Sequence, residues 1–341
     1  MKAIGYLKSL DISHQDSLID IDLPTPTPTG RDLLVKIDAI SVNPVDTKVR
    51  VRAQPENGEH KVLGWDAVGE VIDAGDQAQF YQKGDKVWYA GDITRHGTNS
   101  EYHLVDERIV GRKPESISNA EAAAFPLTAI TAWELLFDRL GFEHSTSADN
   151  AGRQQLLIVG AAGGVGSILV QLAAQLTDAV IIGTASRPES QAWVKELGAD
   201  YVIDHRKPLS EELKRIGIDS VTHVASLNAT EQHYDEIVES LAPQAKLALI
   251  DDPQSPLDIM KLKMKSISLH WEFMYTRSMF NTDDIEKQRD LLNSIAELID
   301  AKRIKTTLGE HYGQINAENL KRAHANLESG SAIGKIVLEG F

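Results

Sequence analysis

The chain has 341 residues, 42% of them apolar, carries a formal net charge of -15 and contains no cysteine. This length and apolar content predict about two domains with sizeable cores and exclude a disordered chain or a disulfide-stapled miniature protein. The acidic balance argues against nucleic acid or an anionic membrane as a partner, and the lack of cysteine excludes disulfides, thiolate nucleophiles and cysteine-ligated zinc. Residues 1–8 hold no apolar stretch of signal-peptide length, and no segment approaches the roughly 18 apolar residues of a membrane span, so we expect a cytoplasmic protein.

The first third of the chain predicts a domain built mainly of β-strands. Short runs rich in β-branched or aromatic residues occur at 33–37, 68–72 and 86–90, and each is followed by Gly or Asp. Prolines alternate with Thr over residues 24–28, a segment that we expect to run extended into the next strand. These features indicate a β barrel or sandwich.

Beyond residue 114 the pattern changes to alternating strands and helices. Helical spacing at 119–124 and 128–140 comes first, and short apolar runs typical of strands buried on both faces of a parallel sheet then alternate with helical stripes. The strand-like runs are 156–159, 179–182, 201–203, 247–250 and 335–338, and the helical runs are 165–176, 191–197, 285–299 and 316–327. Strands separated by helices indicate right-handed β-α-β units, and therefore an α/β fold with a doubly wound parallel sheet.

A glycine-rich turn at 160–166 (GAAGGVG) is the strongest chemical signal. It follows a buried-strand pattern and opens a helix, which is the context that a dinucleotide-binding fingerprint requires. Glycine lets the backbone approach a diphosphate, and the helix N-terminus offers free N–H groups and a positive dipole end. Ala161 departs from the usual glycine pattern, and a tight turn without a ligand is the alternative. The predicted coenzyme contacts here are Gly160, Ala161, Ala162, Gly163, Gly164, Val165 and Gly166.

The end of the second predicted strand indicates NADPH rather than NADH. An acidic residue at this point would bind the ribose 2′-hydroxyl of NAD, but no carboxylate precedes Glu189. Ser186 and Arg187 instead offer a hydroxyl and a guanidinium, which suit a 2′-phosphate. The alternative is that Arg187 is a solvated turn residue.

Six short segments in the right order resemble the medium-chain dehydrogenase/reductase superfamily, within it the zinc-independent quinone oxidoreductase branch, whose members are often named zinc-type alcohol dehydrogenase-like. The segments are 41–46 (SVNPVD), 64–69 (GWDAVG), 83–87 (KGDKV), 124–133 (AFPLTAITAW), 197–200 (LGAD) and 334–338 (GKIVL). The resemblance implies a GroES-like β-rich catalytic domain built from residues 1–122 and 268–341. It also implies an NADP-binding Rossmann domain at 123–267 and a homodimer joined through the edges of the Rossmann sheets.

The resemblance also locates the superfamily's zinc ligands, and here the residues do not suit a metal. The ligand positions fall at Asn43, Trp65 and Leu127, and Asp66 directly follows Trp65. Indole and leucine side chains do not ligate zinc, and no H-x-x-x-H or H-E-x-x-H pair occurs among the 11 histidines. We therefore expect no catalytic metal.

Five residues are the candidates for catalysis, and four of them have a plainer alternative. Asn43 could donate to a substrate carbonyl or cap the turn before proline, and Asp46 could position the ribose or substrate or cap a helix. Lys48 stands where many quinone reductases carry tyrosine, so it could supply positive charge or a proton, or lie solvated. Trp65 could form an apolar wall or pack in the core, beside Asp66.

Further coenzyme contacts are expected at strand ends and in segments that resemble the family. These are Thr131, Ser226, Leu227, Ile250 and Lys335. The aromatic stretch 269–277 could line the pocket, form the dimer seam or be a core strand.

Without zinc as a Lewis acid, we expect hydride transfer from NADPH to a small molecule already activated by conjugation, a quinone or an α,β-unsaturated carbonyl. The alternatives are a metal-dependent alcohol dehydrogenase and a non-catalytic NADPH-binding protein.

Overall fold

The two ends of the chain build one unit and the middle of the chain builds another. The computed structural model describes residues 1–55, 58–144, 154–330 and 332–341. Unit 1 comprises Met1–Ile130 and Tyr275–Phe341, and unit 2 comprises Thr131–Met274.

The elements follow the predicted order. The strands are β1 (Lys2–Tyr6), β2 (Ile19–Asp22), β3 (Asp32–Val42), β4 (Lys61–Val62), β5 (Asp66–Ala74), β6 (Lys86–Tyr89), β7 (Tyr102–Asp106), β8 (Val110–Arg112), β9 (Gln155–Val159), β10 (Val180–Thr184), β11 (Tyr201–Ile203), β12 (Val221–Ser226), β13 (Leu241–Leu249), β14 (Ser268–Trp271), β15 (Leu308–His311) and β16 (Lys335–Glu339). The α-helices are α1 (Pro44–Arg52), α2 (Asn119–Ala123), α3 (Pro126–Trp133), α4 (Gly164–Leu176), α5 (Pro188–Glu196), α6 (Leu209–Arg215), α7 (Thr230–Ser240), α8 (Thr276–Phe280), α9 (Lys287–Asp300) and α10 (Ala317–Glu328). A π-helical turn (Glu134–Arg139) continues α3, and 3₁₀ turns lie at Glu107–Ile109 and Ile259–Lys265.

Unit 1 is built on the strands predicted in the first third of the chain. β2, β1 and β4 form a small sheet, and a seven-stranded sheet has the order β15-β16-β3-β5-β6-β8, with β7 paired to β3. β16 runs antiparallel to β3, with Ile336 opposite Val42. This pairing brings the last strand of the chain beside the residues that precede α1.

Unit 2 is a parallel sheet in the order β11-β10-β9-β12-β13-β14. Neighbouring strands pair parallel throughout. Apolar residues of the central strands such as Leu157, Ile182 and Val224 are fully buried, as expected for a sheet covered on both faces. The strand order reverses direction between β9 and β12, the doubly wound arrangement in which ligands bind beyond the carboxyl ends of the strands. The predicted α/β fold is confirmed.

Both predicted domain boundaries need correction. The expected division at 267/268 places residues 268–271 in the catalytic domain, but these residues form β14 and pair parallel with β13. The chain leaves unit 2 after Met274 instead, and it enters unit 2 at Thr131 rather than at residue 123. In the described part of the chain, no helix has the length and apolarity needed to cross a bilayer.

Candidate functional site

The glycine turn joins β9 to α4 in a conformation that suits glycine. Gly160 has a φ of 86°, in the left-handed region that other residues rarely adopt. Its N–H donates to Thr184 Oγ1 at 3.0 Å, which ties the turn to the end of β10. The turn therefore lies beyond the carboxyl ends of two adjacent central strands.

Two further glycines leave space around the start of α4. A Cβ on Gly166 would lie 2.5 Å from the Gly160 carbonyl oxygen, so glycine is needed for the helix to pack this closely on the turn. Gly163 is the N-cap and gives the helix no side-chain cap. The N–H groups of the first turn of a helix lack intrahelical partners, so this terminus can bind an anion. The turn fits a dinucleotide diphosphate.

A cationic side chain, that of Arg187, follows the carboxyl end of β10. Arg187 is exposed at the N-cap of α5, and its N–H donates to Ser190 Oγ at 3.3 Å. Ser186 beside it is half-buried. His205, which follows β11 and was not singled out from the sequence, has Nδ1 3.3 Å from Thr184 Oγ1, and burial lowers its pKa.

The predicted contacts after β12 and β13 lie along this edge too. Ser226 is paired in register with Val159 and with Leu249, so the strand ends are level. The Leu227 N–H donates to the Val159 carbonyl at 3.0 Å, and Ile250 directly follows β13. We call this row of strand ends the carboxyl edge. Its members are Gly160, Thr184, Ser226, Leu227 and Ile250, whereas Thr131 is buried in α3.

The hydroxyl of Ser226 is engaged inside unit 2. Its Oγ lies 2.7 Å from Thr230 Oγ1, which donates to Asp251 Oδ1 at 2.5 Å. Ser226 is fully buried. Its backbone, rather than its hydroxyl, is therefore the part available at the carboxyl edge.

Unit 1 holds a buried polar cluster around Asp66, at the start of β5. Asp66 Oδ2 accepts from Ser41 Oγ at 2.6 Å, Asn43 Nδ2 at 2.7 Å and Lys335 Nζ at 3.1 Å, and Oδ1 accepts from the Leu127 N–H at 2.7 Å. We call these five residues the Asp66 cluster. Asp66 is fully buried and Lys335 is 4% exposed. The cluster gathers residues from β3, the start of α1, β5, α3 and β16.

Comparison with known proteins decides the family. The profile of the alcohol dehydrogenase GroES-like domain matches residues 29–115, and that of the zinc-binding dehydrogenases matches residues 197–338. A zinc-type alcohol dehydrogenase-like protein of Staphylococcus epidermidis is 38% identical over 99% of both chains. The chain belongs to the medium-chain dehydrogenase/reductase superfamily. A chloroplast envelope quinone oxidoreductase homolog of Arabidopsis thaliana is 27% identical over 94% of this chain and 93% of its own.

Solved structures of the superfamily have the same fold. A protein of Rhizobium etli, described as a candidate zinc-dependent alcohol dehydrogenase, is 52% identical with a TM-score of 0.95 over 100% of this chain and 98% of its own. Escherichia coli quinone oxidoreductase in complex with NADPH has a TM-score of 0.83 at 24% identity, over 99% of this chain and 100% of its own. The fold is therefore that of a GroES-like domain with a Rossmann-type domain, and the protein is an oxidoreductase of this superfamily.

In this member of the superfamily, Lys335 has partners other than those expected. An ammonium has three N–H donors, and those of Lys335 reach Val42 O at 3.2 Å, Asn43 Oδ1, and Asp66 Oδ2 at 3.1 Å. All three donors are satisfied inside unit 1. The Lys335 ammonium therefore forms an internal ion pair with Asp66, and its contact with the coenzyme stays a prediction.

Asp46 takes the helix-capping role that was the alternative to catalysis. Its Oδ2 accepts from the Asn43 N–H at 2.6 Å, and its Oδ1 accepts from the Gly64 N–H at 3.0 Å. Together with N-cap Asn43 it forms the capping box of α1. Burial raises the pKa of Asp46 to about 7, against the lowering effect of the Asn43 N–H and of Lys335.

Trp65 and Lys48 differ in how far they are open to a ligand. Trp65 is fully buried, its indole N–H donates to Asp92 O at 3.2 Å, and its ring meets Tyr275 edge-on at 6.1 Å. Core packing therefore accounts for the position of Trp65, and its role as a wall for the substrate stays a prediction. Lys48 is half-buried on α1, one turn after Pro44.

Proposed function

We propose that this protein is an NADPH-dependent oxidoreductase that reduces a quinone or an α,β-unsaturated carbonyl compound without a catalytic zinc ion. The Lys335 ammonium within the Asp66 cluster carries the proposal. It hydrogen-bonds Asn43, at one of the positions that the family resemblance assigns to metal ligands, and the adjacent Asp66. A dication there would face a buried positive charge at contact distance, where the low dielectric strengthens repulsion.

The remaining groups at these positions do not suit zinc. Protein zinc ions bind cysteine, histidine and carboxylate ligands. Asn43, Trp65 and Leu127 supply an amide, an indole and an alkyl group, and the Asp66 carboxylate already accepts four hydrogen bonds. Over the described ranges of the chain, no three His, Cys, Asp or Glu side chains are grouped so that they could hold a metal ion.

The carboxyl edge of unit 2 suits NADPH, which supplies a hydride when bound. The N–H groups of the glycine turn and of the first turn of α4 would hold the diphosphate. Ser186 and Arg187 would hold the 2′-phosphate, because a guanidinium pairs with phosphate through two parallel hydrogen bonds. No carboxylate stands between Thr184 and Arg187 to favour NADH.

The substrate class follows from the chemistry that remains. Without a Lewis acid, conjugation in the substrate lowers the barrier to hydride transfer. The negative charge that then develops on the carbonyl oxygen needs a cation or a hydrogen-bond donor. We assign this role to Lys48, which would also return a proton. The similarity to a plant protein named as a quinone oxidoreductase homolog supports a quinone as one such substrate.

We also propose a homodimer joined through the edge of the unit 2 sheet. β14 is the last strand of that sheet, and Trp271 and Phe273 are 54% and 46% exposed. Ile259, Met260 and Met264, which precede β14, are 62%, 61% and 91% exposed. An open strand edge beside exposed apolar side chains favours pairing with a second copy. Sedimentation equilibrium would show a dimer that a Trp271→Asp variant weakens, whereas a monomer at micromolar concentration contradicts the proposal.

The test of the activity uses chelator-treated protein whose metal content has been measured. We expect steady oxidation of NADPH with 9,10-phenanthrenequinone or 1-octen-3-one and no loss of rate after chelation. Stoichiometric zinc, with a rate lost on chelation and restored by zinc, would identify a metal-dependent alcohol dehydrogenase. Tight NADPH binding without turnover over a broad carbonyl panel would identify a binding protein.

A further inference from the structure

Two buried carboxyl groups in unit 2 face one arginine, and none of the three residues has been assigned a role above. Glu134 is 1% exposed and Glu272 is 3% exposed. Arg139 Nε donates to Glu272 Oε2 at 2.8 Å, and its guanidinium lies 3.6 Å from Glu134 Oε2. A single guanidinium therefore faces two carboxyl groups in a water-poor site.

The hydrogen bonds of the two carboxyl groups are complete only when one of the groups carries a proton. Glu272 Oε1 is buried and receives no N–H or O–H donor from the described residues. An ionised carboxylate can only accept, so two ionised groups could not bond to each other. Burial, and next the charge of Glu134, raise the pKa of Glu272 to about 9. A proton between the two carboxyl groups satisfies Glu272 Oε1 and reduces the buried charge to one carboxylate and one guanidinium.

The pair occupies a defined place in the fold. Glu272 directly follows β14, and its N–H extends the sheet by donating to Leu249 O at 2.9 Å. It therefore lies at the carboxyl end of β14, beside the carboxyl edge. Glu134 begins the π-helical turn after α3, the helix that carries Thr131. Such turns are rare and often mark functional sites. Because unit 2 begins at Thr131 and ends at Met274, the pair joins the segments by which the chain enters and leaves it.

The three elements that carry or flank the pair hold other charged or titratable groups. Asp138 lies on the π-helical turn with Arg139, Lys246 lies on β13, and His270 lies on β14. Lys246 Nζ donates to Leu140 O at 2.7 Å, at the end of the turn. Burial, Lys246 and Arg139 lower the pKa of His270, so that histidine is neutral at neutral pH. Arg139 is the cation in direct contact with Glu272.

We propose that Glu134 and Glu272 share one proton and, with Arg139, act as positioning residues that hold the π-helical turn after Thr131 against the end of β14, beside the carboxyl edge of unit 2. The shared proton is independent of the activity proposed above, whereas the effect on coenzyme binding rests on it. Loss of the proton places two like charges side by side in a buried site and loosens the contact between the π-helical turn and the residue that follows β14.

The test compares Glu272→Gln with wild type. A glutamine amide donates to Glu134 and accepts from Arg139, so it reproduces the protonated pair at every pH. We expect the melting temperature of wild type to fall more steeply than that of Glu272→Gln from pH 6 to pH 9.5. The exposed variant Glu211→Gln should keep the wild-type slope. Equal slopes in wild type and Glu272→Gln would overturn the shared proton.

A second measurement tests positioning by titrating NADPH across the same pH range. Wild type should lose NADPH affinity above about pH 9 while Glu272→Gln keeps it, and Glu272→Ala should bind NADPH more weakly than Glu272→Gln already at pH 7. Identical affinities in all three proteins would overturn the positioning role. If wild type binds no NADPH, the proposed function fails, and the melting temperatures still decide whether the proton is shared.

Discussion

Replacement of Lys335 by methionine tests the buried ion pair in unit 1. Methionine keeps an unbranched chain but removes the ammonium, which leaves Asp66 fully buried with three of its four donors and leaves Asn43 Oδ1 without the Lys335 donor. Removing one partner of a buried pair costs about 3–5 kcal/mol, because the remaining charge cannot reach water. At about 2–4 °C per kcal/mol for a domain of this size, the melting temperature should fall by roughly 10 °C.

The assay is urea unfolding followed by tryptophan fluorescence, since Trp65 and Trp88 are buried in unit 1. Lys36→Met is the matched control, because Lys36 is exposed on β3 and should change stability by less than about 0.5 kcal/mol. Adding Asp66→Asn to Lys335→Met removes the stranded charge and should recover part of the loss. A Lys335→Met protein as stable as Lys36→Met would refute the reasoning.

Three other changes probe the proposed coenzyme site, the proposed catalytic role of Lys48 and the buried helix cap. Arg187→Asp should raise the KM for NADPH tenfold or more, about 1.4 kcal/mol, whereas the same charge change at exposed Lys214 should not. Lys48→Ala should lower kcat by on the order of 10²-fold at saturating NADPH, and wild-type turnover would remove it from the mechanism. The pKa of Asp46 is raised from 3.8 to about 7 in the folded state, so the protonated side chain stabilises the fold and this contribution is lost as pH rises through 7. The melting temperature of Asp46→Asn should therefore change less than that of wild type between pH 5 and pH 8.

Local sequence patterns predicted the strands and the glycine turn that form the carboxyl edge. Runs such as 156–159 and 179–182 are apolar because both faces of a parallel sheet are covered, and they became β9 and β10. The glycine turn was recognisable because close packing of a helix on a strand requires glycine at Gly166. Ser186 and Arg187 were recognisable because they follow the second apolar strand, which became β10 (Val180–Thr184).

Residues that act through distant partners were less accessible from the sequence. Lys335 resembles a surface or coenzyme lysine in sequence, and its role became visible only when β16 paired with β3 beside Asn43 and Asp66. Glu134 and Glu272 lie in different segments, and no pattern in either segment indicates that the two carboxyl groups meet. Asp46 was recognised as a possible cap, but its burial depends on the approach of Gly64. Strand β14 was assigned to the wrong domain because the sequence of an edge strand does not indicate which sheet it joins.

Isotope transfer by chelator-treated protein tests the central claim most directly. The protein is supplied with NADPH deuterated at nicotinamide C4 on the transferred face and with 1-octen-3-one, and the product is analysed by mass spectrometry. The account predicts one deuterium at the β-carbon of the saturated ketone, formed at the same rate before and after metal removal. Deuterium at the carbonyl carbon, or product formation that requires added zinc, would contradict it.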